Sequence, residues 1–148
     1  MKRLLLLLTL SVIMSINIMS QSISAKERQQ CKQMYIQAAK EMNQQMPIVI
    51  DEYTTLFSVT FMNWVYSYNY RINFDCSSIS KEDFDKMLSN IKKEAIIDQR
   101  KLIDSGRYGA TRSEMKRLFK ALGFKFRYNY SDINGRFLGS FEYDYRVF

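Results

Sequence analysis

The sequence predicts an α+β domain: two β-hairpins forming one antiparallel sheet, with about three helices packed on one face, in the order α-β-β-α-α-β-β. Three observations predict it. Apolar and polar residues alternate in two separate stretches, Phe57 to Phe74 and Phe124 to Val147, which is the period of a strand. Each stretch changes phase around a turn signal, so each reads as a hairpin with one apolar and one polar face. The segments before and between them carry apolar residues at three- and four-residue steps, the period of helices able to cover the apolar face.

The first 25 residues stand apart from that domain. Lys2 and Arg3 precede an apolar run from Leu4 to Met14, and a polar segment follows, ending Ile23-Ser24-Ala25 before the charged Lys26-Glu27-Arg28. These are the three regions of a secretory signal peptide, cleaved after a small residue. As a helix the apolar run spans only ~16 Å, short of a bilayer core of ~30 Å. The expected organisation is therefore a cleaved leader over 1–25 and a single α+β domain over 26–148, with no stable membrane span after cleavage.

From Lys26 to Met46 the chain is rich in helix formers and has no Gly or Pro. Tyr35, Ala38, Ala39, Met42 and Met46 form one apolar stripe, and Pro47 forbids continuation. The first hairpin alternates at Phe57, Val59 and Phe61, then at Trp64, Tyr66, Tyr68, Tyr70, Ile72 and Phe74, with Met62 and Asn63 at the change of phase. Ser80-Lys81-Glu82-Asp83 opens a second helix with an acidic first turn, whose apolar face runs from Phe84 to Ile103 until Gly106 and Gly109 break it. Thr111-Arg112-Ser113-Glu114 has capping-box spacing, and Met115, Leu118, Phe119 and Leu122 line a third helix closed by Gly123. The second hairpin alternates at Phe124, Phe126, Tyr128 and Tyr130, turns at Asn134-Gly135, and alternates again from Phe137 to Val147.

The chemistry open to the chain is bounded by what it lacks. It has no His, so Ser-His-Asp and Cys-His catalysis, imidazole metal ligation and a His pH switch are excluded. No metal or cofactor is expected. Removing Lys2 and Arg3 with the leader leaves 20 basic against 15 acidic residues, a charge of +5, and the basic residues are scattered among acidic ones. A nucleic-acid footprint is normally a stripe. By parity, moreover, the aromatics and the cations of the strands fall on opposite faces, whereas stacking platforms need them together. Nucleic acid is not an expected partner.

Two cysteines, Cys31 and Cys76, lie in the mature part, and in an oxidising compartment an even pair invites a disulfide. If the first helix runs antiparallel to the first strand, they are separated by ~22 Å along the helix axis, beyond the ~7 Å a disulfide allows. If the link from Pro47 to Tyr53 runs back along the helix, they come together. The sequence leaves both arrangements open.

Two candidate sites emerge. Parity gathers polar side chains on the sheet face turned away from the aromatics, among them Asn69, Arg71, Lys125 and Arg127, a binding surface for a partner with both charge signs. Asp51 and Glu52 form the other candidate, an acidic pair at the entry to the first strand. Adjacent residues on an extended chain point in opposite directions, which favours contacts to backbone amides over a shared catalytic role.

The segments PIVIDEYTTLFSV (47–59), SYNYRIN (67–73) and RYNYSDINGRF (127–137) together resemble the quorum-sensing-regulated virulence factor family of small exported bacterial proteins. The likeness covers about Met34 to Tyr145 and is most specific from Pro47 to Val59. Many of those proteins carry a Cys just before the short helix, where this chain has Ala110 and Thr111, so their disulfide pattern is not carried over. The resemblance supplies no active site. The expectation is an exported, periplasmic or secreted, non-enzymatic protein that contacts a protein or envelope component, of undetermined oligomeric state. The competing class is a small exported hydrolase or toxin using carboxylate, Tyr and Lys/Arg groups.

Overall fold

The computed structural model of the chain describes residues 23–106 and 110–148. The expected leader lies outside the described residues up to position 22, as does Gly109. Helix α1 runs Ala25–Asn43, followed by strands β1 (Ile48–Val49), β2 (Thr54–Met62) and β3 (Val65–Ile72). Helices α2 (Lys81–Asp104) and α3 (Arg112–Leu122) lead to strands β4 (Lys125–Ser131) and β5 (Phe137–Asp144), and a 3₁₀ turn over Tyr145–Val147 ends the chain. The α+β class stands, with the order extended by the two-residue β1.

The helix boundaries follow their capping residues. Ser24 and Glu27 form a reciprocal capping box at α1, Thr111 and Glu114 form another at α3, and Ser80 caps α2 by accepting from Asp83 N. Gly123 closes α3 in the left-handed conformation, φ 68°. Helix α1 stops at Asn43, three residues before the expected end at Met46, and the Met46–Pro47 peptide is cis.

The five strands lie in the order β1-β2-β3-β4-β5. Three of the four pairings are antiparallel, but β3 and β4 are parallel, so the sheet is mixed and not the all-antiparallel sheet expected from two hairpins. The reason is the connection. A hairpin reverses direction in a few residues, whereas α2 and α3 form a crossover long enough to carry the chain back along the sheet before β4 begins.

The parallel register sets Tyr66 beside Phe126, Tyr68 beside Tyr128 and Tyr70 beside Tyr130, and β5 adds Phe141 beside Tyr128 and Tyr143 beside Phe126. Ring centroids are 5.1 Å apart for Tyr68–Tyr128 and Tyr70–Tyr130, and 4.7 Å for Tyr128–Phe141. Such pairs contribute about 0.5–1.5 kcal/mol each beyond burial alone. All three helices cover this face. Tyr35 of α1 packs on Phe61, Tyr66 and Phe124; Phe119 of α3 stacks on Phe124 at 4.8 Å; and α2 lays Leu88 and Phe84 over Gly139 of β5. The tyrosines belong to the core.

Strand alternation fails at three places. Asn63 and Trp64 form the β2–β3 turn with φ 51° and 63°, the positive pair a two-residue hairpin turn requires. Trp64 thus sits in the turn and not in a strand, between the Phe61 ring and the Arg28 guanidinium 4.7 Å from its centroid. Between Leu56 and Ser58 the β2–β3 register shifts, so Leu56 takes the core position and Phe57 is 55% exposed. A second shift between Tyr130 and Ser131 does the same at Phe137, 65% exposed. Phe57 and Phe137, expected in the core, lie outside it.

Candidate functional site

The face of the sheet opposite the helices is built by the residues that alternate with the tyrosines. Register places Ser58 beside Asn69, Asn69 beside Asn129 and Asn129 beside Ser140; Arg127 stands between Ser67 and Glu142, and Lys125 between Val65 and Asp144. Asn69, Arg71, Lys125 and Arg127 therefore share one surface. Ser67 lies in the same row but is only 7% exposed, shielded between its larger neighbours.

Most polar groups of this face are tied side to side. Asn129 Nδ2 donates to Asn69 Oδ1 at 2.8 Å, and Asn69 Nδ2 donates to Ser58 Oγ at 3.0 Å, a ladder across three strands. Arg127 Nε donates to Glu142 at 2.6 Å, and Lys125 Nζ lies 3.4 Å from the same carboxylate. Burial alone would raise the Glu142 carboxyl, but these two cations outweigh it and hold it below its ordinary value. Asp144 is lowered chiefly by its hydrogen bonds from Arg146.

Arg71 differs from these. Among the described residues it makes no ion pair, and its buried Nε has no hydrogen-bond partner. Its guanidinium instead lies 5.3 Å from the centre of the Phe57 ring. An aromatic and a cation thus meet on one face, which corrects the strict separation that strand parity predicts. The bulge at Phe57 is the cause.

Asp51 and Glu52 do not join this face. They occupy the turn between β1 and β2, where Asp51 Oδ1 accepts from Tyr53 N at 2.9 Å and the Asp51 and Thr54 backbones bond each other. This is a turn-forming carboxylate. Glu52 is exposed, and its backbone oxygen accepts from Asn73 Nδ2 at 3.4 Å.

The cysteines are free thiols, each 1% exposed. Arg28 and Trp64 meet at one end of the sheet, fixing the start of α1 there, while Cys76 follows the opposite end of β3. Helix α1 runs antiparallel to β2, so Cys31 and Cys76 are held apart, and the arrangement that would have bonded them is not adopted. Burial, then the Glu27 charge, raises the Cys31 thiol; burial, then Asp132, raises that of Cys76.

Five apolar side chains at the Cys76 end went unrecognised in the sequence: Tyr53, Phe57, Phe74, Ile133 and Phe137, all between 41% and 65% exposed. The Tyr53 and Phe74 rings meet edge-on at 6.1 Å, and Ile133 N donates to Phe74 O at 3.4 Å. Adjacent apolar pairs, Leu56-Phe57 and Phe137-Leu138, were the available signal, since two neighbours in a strand cannot both face one core. Among the described residues no group of three or more Cys, Asp or Glu side chains is placed to hold a metal ion, and no helix is long and apolar enough to cross a membrane.

Among the described residues, fold and surface together define an α+β domain with one sheet face covered by helices and the other by none. The chain matches no protein-family model and no curated protein in sequence. Its fold resembles that of EpsS, the pilotin of the Vibrio vulnificus type 2 secretion system, with a TM-score of 0.52 and 11% identity over 84% of this chain and 96% of that one. It also resembles AspS, the type II secretion system pilotin of Vibrio cholerae, with a TM-score of 0.52 and 10% identity over 84% and 97%. A Pseudomonas aeruginosa protein described as secreted, PA3611, aligns with a TM-score of 0.49 and 17% identity over 85% and 98%. These likenesses are of fold.

Proposed function

We propose that the chain is an exported, non-enzymatic interaction protein of the bacterial envelope or secretome, and that the uncovered sheet face is its contact surface. One observation carries the reading: a sheet whose polar face is overlaid by no helix among the described residues, yet whose side chains are ordered into a fixed hydrogen-bonded array with exposed apolar side chains at one end. Open sheet faces and edges are common contact surfaces, and exposed apolar patches mark interaction sites. The fold shared with type II secretion pilotins supports an accessory role beside a larger envelope assembly. A cleaved leader over 1–25 and a domain over 26–148, periplasmic or secreted, complete the proposal.

Hydrolysis at Asp51 and Glu52 has less support, because the Asp51 carboxylate is engaged by the Tyr53 amide and an acid–base pair needs two groups converging on one substrate. The test is capture of envelope proteins from a detergent extract by the immobilised full chain. Saturable retention of an envelope protein is expected. No retention at any loading, or turnover of ester or glycoside substrates abolished by Asp51→Asn, would contradict the reading.

A further inference from the structure

The reading above leaves open what the face recognises, and the end of the sheet around Arg71 answers in chemical terms. We propose that this end docks an acidic, apolar peptide segment of a partner protein, with a carboxylate on the Arg71 guanidinium and apolar side chains on the surrounding rim. The inference rests on the proposed interaction role and makes it specific.

Three features converge there. Arg71 pairs in register with Thr55 and Ser131, and Ser131 pairs with Phe137, so Phe57 and Phe137 flank one row that crosses β2 to β5. Tyr53, Phe74 and Ile133, linked by ring and backbone contacts, border the same end where β3 and β4 finish. An Arg lying over one exposed aromatic, with further exposed apolar side chains at the same end of the sheet, has the composition of a binding hot spot.

Charge complementarity selects the ligand. The neighbouring cations of the face are engaged, Lys125 and Arg127 by Glu142 and Arg146 by Asp144. Arg71 alone among them lacks a carboxylate in the described residues; its guanidinium lies over the exposed Phe57 ring, and its buried Nε has no hydrogen-bond partner, so an incoming carboxylate would supply the charge partner the fold does not. Acidic residues do border this end, but the Asp51 and Asp75 carboxylates accept from backbone amides of Tyr53 and Ser77. None of Asp51, Glu52 and Asp75 forms an ion pair with Arg71.

A nucleic-acid strand fits less well, because its phosphates need a track of free cations and this end offers one. A second copy fits less well too, since a two-fold contact centred here would bring Arg71 against its own counterpart.

The experiment pans a phage-displayed random peptide library on the purified full chain and measures the selected peptides by fluorescence anisotropy. Enriched peptides are expected to combine Asp or Glu with aromatic or aliphatic residues. Arg71→Met, which keeps the bulk against Phe57, should weaken them about tenfold or more, and Arg71→Lys should weaken them less. Phe137→Ser should also weaken binding with no change in melting temperature, since Phe137 is mostly solvent-exposed.

Absence of enrichment, peptides without acidic residues, or full affinity in Arg71→Met would overturn the proposal. So would binding of a labelled oligonucleotide that Arg71→Met abolishes, which would assign the site to nucleic acid. Dimerisation in sedimentation that Phe137→Ser removes would assign it to a second copy. If the wild-type chain and Arg71→Met retain the same envelope protein equally, the site is wrong while the interaction role survives; if the wild-type chain retains none, the role itself fails.

Discussion

The side chain of Asn43 stands in for a missing strand beside Val59: its Nδ2 donates to Val59 O at 2.6 Å, and its Oδ1 accepts from Val59 N at 2.8 Å. β1 pairs only with Thr55 and Leu56, so β2 beyond them is a sheet edge. Asn43, the last residue of α1, closes that edge at its most buried point, Val59 being 1% exposed. Asn43→Ala leaves both backbone groups unsatisfied and should cost about 1–3 kcal/mol, read as a lower urea midpoint with an unchanged slope. The opened edge should also promote concentration-dependent association, visible in sedimentation.

Asp51 separates a structural carboxylate from a catalytic one. Because Asp51 Oδ1 accepts from Tyr53 N, Asp51→Ala should lower stability by about 0.5–1.5 kcal/mol. Asp51→Asn, whose amide oxygen can accept the same bond, should recover most of that loss in thermal melts. A variant pair of equal stability would remove the turn role.

Much of this fold was legible because its signals are local. Ser80, the Thr111/Glu114 capping box and Gly123 each act within one turn of chain, and each caps where its sequence places it. The parallel β3–β4 pairing was not legible, since direction is set by how far α2 and α3 carry the chain, and no residue in β4 records that. Parity brought Asn69, Arg71, Lys125 and Arg127 to one face correctly, because β3 and β4 are regular along those positions. It failed at Phe57 and Phe137, which single-residue shifts put out of phase with the rest of their strands. The apolar rim was missed for that reason; the contact of Asp51 with a backbone amide was legible, but the β1–β2 turn that makes it was not, because β1 is too short to signal itself.

Gly139 marks a close contact between helix and sheet. A Cβ there would lie 2.7 Å from Leu88 Cδ1 and 3.5 Å from the Phe84 ring. Gly139→Ala should cost about 1–3 kcal/mol through overpacking. Its cost should shrink in a Leu88→Ala background, which makes room at Cδ1, so a double-mutant cycle is expected to show coupling. Additive effects would place α2 elsewhere on the sheet.

The buried tyrosines predict alkaline behaviour. Burial raises the hydroxyls of Tyr66, Tyr70, Tyr128 and Tyr130 well above the ordinary 10.0, with neighbouring tyrosines adding to it at Tyr70 and Tyr128. The fold favours their neutral form, so this stability is complete below pH 10.0 and is lost as pH rises beyond it. Tyrosinate absorbance from the buried rings should therefore appear in a cooperative step coincident with loss of ellipticity, whereas the exposed Tyr53, raised chiefly by its hydrogen bond with Glu52, can ionise without unfolding. Full ionisation before unfolding would contradict a sealed tyrosine layer.

The central claim, that the uncovered sheet face is the contact surface, is tested most directly by site-specific photo-crosslinking in the native envelope. A photoreactive residue replaces Ser140, exposed on that face beside Asn129, or Lys93, exposed on α2. The account predicts a discrete protein adduct from position 140 and none from position 93. Adducts from position 93 alone would contradict it and move the contact to the helical layer.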